Sequence, residues 1–157
     1  MARPKKTFRF SLEILLKHRR MQEQEAKVQL ALVRVELTTE QERLKNLESE
    51  KTAAITGRHA LAAGGGTASS GLDQANQFLG LQDIRMERQK VVIAEVESRV
   101  EKCLEILRHK AMESKIVERL KEQRFDEFKI ENRKLEQKEV DDMVTTRFAV
   151  RMTKGKS

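Results

Sequence analysis

Tryptophan and tyrosine are absent from this 157-residue chain, and its six phenylalanines bring aromatic content to only 4%. A globular domain of this length needs bulky side chains to fill a three-dimensional core, and their scarcity argues against one. There is a single cysteine, Cys103, which excludes an intrachain disulfide and a cysteine-rich metal site. Set on an apolar face, it reads as a buried, inert thiol. The one proline, Pro4, precedes the first helix signal, so no later helix is kinked by proline. No stretch approaches the ~20 apolar residues that span a bilayer. The segment Leu12 to Leu16 is too short and too closely bracketed by charge to be the core of a signal peptide. A soluble, cytoplasmic protein with no direct membrane insertion is expected.

The residue types of catalysis and cofactor binding are present but not arranged for it. Gly64 to Gly66 is not followed by Lys-Ser or Lys-Thr and does not join a strand to a helix, so no phosphate loop is read. His18, His59 and His109 stand alone, with no carboxylate or thiol at ligand spacing. Carboxylates are plentiful, but two paired helices offer no concavity in which two of them could be desolvated and their pKa values drawn apart. No enzyme activity, cofactor or metal is expected. A basic region running into a coiled coil is the mark of zipper-type DNA readers. Here the N-terminal cluster is short, contains Pro4 and lacks a one-sided row of Asn and Arg, so nucleic acid is not expected as a partner.

What the chain does contain is charge and periodicity. Charged residues make up 36% and hydrophobic residues 38%, with a formal net charge of +7. The excess sits at the two ends: Arg3, Lys5, Lys6 and Arg9 at one, Arg147, Arg151, Lys154 and Lys156 at the other. Between them acids and bases interleave as on a solvated helix face. Disorder would scatter the apolar residues. Instead they recur at 4-3 spacing: Leu12, Leu16, Arg19, Glu23, Ala26, Leu30, Val33, Leu37, Glu40, Leu44, Leu47, Lys51 and Ala54. About nine of these thirteen are apolar, a coiled-coil seam of roughly six heptads. Ser11 is positioned to cap the helix and Glu13 to complement its dipole.

The pattern stops at Gly64, Gly65 and Gly66, and with Thr67, Ser69, Ser70 and Gly71 these form a segment that loses too much backbone entropy to remain helical. Asp73 then offers a second cap. Phe78, Leu81, Ile84, Ile93, Val96, Val100, Cys103 and Leu107 resume a helical face, and Val117, Phe128 and Leu135 keep its register with polar interruptions. The expectation is an all-α fold, a long antiparallel two-helix coiled coil or α-helical hairpin. Its parts are a basic tail over 1–10, helix 1 over 11–63, a turn over 64–73, helix 2 over 74–145 and a basic tail over 146–157. Folding back at the turn makes facing positions sum to about 135. The last ~20 helical residues then have no helix 1 partner, and that overhang starts with Phe125, Phe128 and Leu135.

Particular residues add a resemblance. The run from Phe8 to Ala26, FRFSLEILLKHRRMQEQEA, is similar to the opening of the flagellar FliJ family, with its Phe-x-Phe start, Leu pair, Arg and acidic-Gln run. Gln77-Phe78-Leu79 resembles that family's segment after the turn, and Glu139 to Met143 with Arg147 and Phe148 resembles its close. The resemblance implies a component of the flagellar type III export apparatus, peripherally associated with the inner membrane. It implies a stalk whose terminal end enters the ring of an export ATPase hexamer, which contacts the membrane-embedded export gate and escorts export chaperones. By position, Leu47, Gln77 and Phe78 are the expected gate contacts. Phe125, Phe128, Leu135, Arg147 and Arg151 are the expected ring contacts. The chain has no Tyr near Glu50 and Ala54, where family members carry aromatics. The alternative readings are an unrelated coiled-coil spacer and a basic nucleic-acid-associated protein.

Overall fold

A computed structural model describes residues 6–64 and 69–156 of the chain. Two helices account for nearly all of them: α1, Glu13–Ala63, and α2, Ser69–Lys154. Among the described residues there is no strand. The helices pack antiparallel, as an all-α hairpin. The expected reversal falls partly on residues 65–68, which lie outside the described residues, as do residues 1–5 of the expected N-terminal tail and Ser157 of the expected C-terminal one.

The helix limits differ from those expected. The first α-helical bond of α1 runs from the Leu16 N–H to the Leu12 carbonyl, and the Glu13 N–H bonds the Phe10 carbonyl in the turn before it. Leu12, not Ser11, therefore stands at the cap. α2 starts at Ser69, not 74, which puts Asp73 inside the helix and not at its cap. It also continues past 145 to Lys154, where the Gly155 N–H closes the last turn on the Arg151 carbonyl. No strong helix breaker stands between Gly80 and Gly155. Thr145 and Thr146 lie within α2, their hydroxyls donating back to the Asp141 and Asp142 carbonyls, each at 2.8 Å.

The chain forms two compact units, and each helix contributes to both. In the unit Gln22–Lys110, the seam expected for α1 is the face that is covered. Ala26 and Leu30 are buried, and Val33, Leu37, Leu44, Leu47 and Ala54 are half-buried. Opposite lie Leu79, Met86, Ile93, Val96, Val100, Cys103 and Leu107. Cross-helix pairs fix the register: Arg58 with Asn76 at 3.2 Å, Lys51 with Asp83 at 2.7 Å, and Arg99 with Glu36. These follow the facing rule to within one position.

One stretch of this face departs from expectation. Phe78, Leu81 and Ile84 point outward, with 38%, 55% and 51% of their surface exposed. The seam there is built from Leu79, Gln82, Met86 and Gln89, two of them polar. Hydrogen bonding to α1 is what lets glutamines occupy it.

The second unit joins residues up to Met21 with those from Ala111 onward. Leu16 is fully buried, and Ser114 and Val117 are the buried residues of α2 in this unit. Three ion pairs flank them: Arg19–Glu113 at 2.9 Å, Arg20–Glu118 at 3.1 Å and Lys121–Glu13 at 2.8 Å. Such partly exposed pairs orient the helices more than they stabilise them. Beyond Asn132, every described residue of α2 is exposed, which agrees with a poorly covered last third.

Candidate partner-binding surfaces

Two glutamines, one heptad apart, organise the seam of the Gln22–Lys110 unit. The Gln89 Nε2 donates to the Glu40 carbonyl at 2.9 Å and to its Oε2 at 2.6 Å. One heptad towards the turn, the Gln82 Nε2 donates to the Leu47 carbonyl at 3.0 Å and to the Glu50 Oε2 at 2.9 Å. Each amide thus ties α2 to a main-chain carbonyl of α1, and the two carbonyls are themselves one heptad apart. Gln89 is the main reason that the Glu40 carboxyl sits below its ordinary pKa, with Arg43 adding to it and burial opposing. The Gln82 Oε1 is buried without a hydrogen-bond partner among the described residues. Sequence reasoning missed this pair. Extending the register of Ile93 and Val96 backwards in 3-4 steps reaches Gln89, Met86, Gln82 and Leu79, which is the signal that was there to find.

Of the residues expected at the gate, Leu47 is half-buried in the seam, and its carbonyl is the one that Gln82 engages. Gln77 and Phe78 are exposed on α2. Leu47 and Phe78 are not brought into a single contact. Beside Phe78 the outer side of α2 carries Leu81, Ile84, Val91 and Val92, with Arg85 and Arg88 among them. Ile84, Val91 and Arg88 line a shallow, largely apolar groove with Asp83 and Glu87. This outward apolar stripe opposes the seam on α2.

The residues expected at the ring lie in the other unit. Phe125 and Phe128 were expected on an uncovered overhang, and the non-helical segment before α1 reaches them. The Phe8 ring lies 5.2 Å from that of Phe125, edge-on, and 5.5 Å from that of Phe128. Both spacings are those of favourable aromatic pairs. The Lys129 Nζ sits 4.5 Å over the Phe125 ring. Phe125 still exposes 41% of its surface, so the clasp covers one side of it. An open pocket beside this clasp is lined by Thr7 to Leu12 and by Leu120, Arg124, Glu127, Phe128 and Glu131. The sequence placed Phe125 and Phe128 beyond any helix 1 partner, but the path of a non-helical segment carries no periodicity from which Phe8 could be named.

Leu135, Arg147 and Arg151 lie further along α2, on its exposed end. Val140, Met143, Val144 and Phe148 accompany them, the last three with about 60% of their surface open. After Asp142 the chain contains Arg147, Arg151, Lys154 and Lys156 and no acidic residue. Among the described residues no three His, Cys, Asp or Glu side chains are grouped to hold a metal ion, and no helix is long and apolar enough to cross a membrane. The exposed apolar and cationic side chains are the candidate contact surface.

A family model described as the flagellar FliJ protein matches residues 8–153. Neither the curated proteins nor the solved structures return a match.

Proposed function

Since the chain belongs to the flagellar FliJ protein family, and is thereby a protein of flagellar export, we propose that it is the stalk of the export ATPase. In this reading the exposed end of α2 enters the ring of an ATPase hexamer. The observation that carries it is the charge and exposure of that end: an α-helix whose last turns present Val144, Phe148, Arg147 and Arg151 exposed. A helix with apolar and cationic side chains on one side suits a lumen lined by carboxylates and apolar groups. The aromatic clasp at Phe8, Phe125 and Phe128 would brace the base of the inserted end, with Leu135 between base and tip.

The same reading assigns the turn-proximal surface to the membrane-embedded export gate, through Phe78, Gln77 and the exposed part of Leu47. Export chaperones are the third class of partner, escorted by coiled-coil contact, and the protein works peripherally at the inner-membrane apparatus. None of these roles requires chemistry by the chain itself. The test is the turnover of the purified export ATPase with and without the full chain. Stimulation is expected, and Arg147→Glu with Arg151→Glu should abolish it. Phe78→Asp should leave stimulation intact while releasing the chain from the cytoplasmic part of the gate. Turnover unchanged by the native chain would refute the stalk.

A further inference from the structure

The exposed end of α2 has an internal symmetry that the stalk reading does not use. At ~3.6 residues per turn, Gln137, Val140, Asp141, Val144, Arg147, Phe148 and Arg151 fall within about one third of the helix circumference. Every one of them is exposed. Reversed about Val144, this set of positions maps onto itself. Val140 exchanges with Phe148, Asp141 with Arg147, Gln137 with Arg151, and Val144 with itself. The chemistry is complementary at each exchange: apolar meets apolar, carboxylate meets guanidinium, and an amide meets a guanidinium.

We propose that this segment docks on the same segment of a second copy of the chain, antiparallel, about a two-fold axis at Val144. Such an interface is isologous, so each favourable pair forms twice. Val144 packs on its symmetry mate, Val140 of each copy packs against Phe148 of the other, and Asp141 pairs with Arg147 across the axis. A parallel arrangement would instead set Arg147 against Arg147 and Asp141 against Asp141. The charge pattern therefore selects the antiparallel one. The match also has an end. Lys134 and Lys154 arrive at the same height just outside the face, so the paired length is bounded to about two heptads. That is a small interface, well below the ~1,600 Å² of a standard one, and the dimer is reversible and concentration-dependent. α2 is already helical there, so pairing does not have to bear the cost of ordering the backbone.

The inference does not depend on the ring reading, because it concerns the chain alone. Where both hold, a copy with its end paired cannot offer that end to a ring, and the two states compete. The test uses the full chain in a Cys103→Ser background. Under mild oxidation Val144→Cys should form a covalent dimer and Val140→Cys should not, whereas an equal mixture of Val140→Cys and Phe148→Cys should. In sedimentation equilibrium Asp141→Arg and Arg147→Asp should each weaken self-association roughly tenfold, and the double exchange should restore it. Cross-linking of Val140→Cys with itself as readily as Val144→Cys would overturn the antiparallel register. A chain that sediments as a monomer at all concentrations, with no Val144→Cys dimer, would overturn the proposal altogether.

Discussion

Glu40 brings a carboxylate into the seam of the Gln22–Lys110 unit, where only 9% of the residue remains exposed. It stays ionised because Gln89 donates to it and Arg43 lies at 2.7 Å, which together outweigh the cost of burial and hold its pKa below the ordinary 4.5. A group whose folded-state pKa is depressed adds stability above its unfolded pKa and loses it as pH falls through the folded value. Glu40→Gln should therefore be less stable than the native chain at pH ~7, and the gap should close as pH drops below about 4. Urea unfolding across that range measures it, and a gap independent of pH would exclude Glu40 as the titrating group. Gln82 makes the opposite case. Its Oε1 is buried and unpartnered, so Gln82→Leu removes an unsatisfied acceptor and adds apolar burial. The variant should unfold at the same temperature or up to ~3 °C higher, with less discrimination between helix registers as the cost. Leu16→Ala, at a fully buried site, should by contrast cost about 2–4 kcal/mol by thermal or denaturant unfolding.

At the scale of the element, α1 and α2 were not equally legible. The α1 seam could be read directly because its 4-3 positions are mostly aliphatic, and Leu16, Ala26 and Leu30 are buried where the spacing put them. In the first third of α2 the rule that the most apolar face is the covered one misassigns the seam. Phe78, Leu81 and Ile84 form a more apolar stripe than Leu79, Gln82, Met86 and Gln89, yet it is the latter that faces α1. Side-chain hydrogen bonds to main-chain carbonyls, which spacing does not reveal, decide the matter. The same stretch holds Gly80, an exposed position inside a helix where an added Cβ meets nothing within 4 Å. Neither close packing nor a turn requires glycine there, so its backbone freedom in the unfolded chain is a pure loss. Gly80→Ala should stabilise the protein by about 0.5–1 kcal/mol, read as a higher urea midpoint with an unchanged slope. A drop in stability would mean that the fold does require glycine there, and a stabilised variant that no longer bound a partner would mean that the position is held for binding.

At the scale of the whole molecule, burial and the proposed ring contact are drawn from different stretches of chain. Residues 133–156 are exposed throughout, so this end, helical as far as Lys154, adds helix without core. A helix of that length is marginal in water on its own, and here it is nucleated by the packed part of α2 that precedes it. Ending the chain after Asn132 removes no buried apolar side chain and leaves the Phe8 clasp on Phe125 and Phe128 in place. The unfolding free energy of the truncated chain should therefore stay within ~0.5 kcal/mol of the native one, while its helical circular dichroism falls roughly in proportion to the residues removed. Stimulation of the ATPase and self-association should both disappear, and capture by the gate through Phe78 should persist. A large loss of stability would mean that the end is covered by other parts of the chain in solution. If stimulation instead survived the truncation, the ring contact would have to be moved down α2 to the aromatic clasp, where Phe125 keeps one open side.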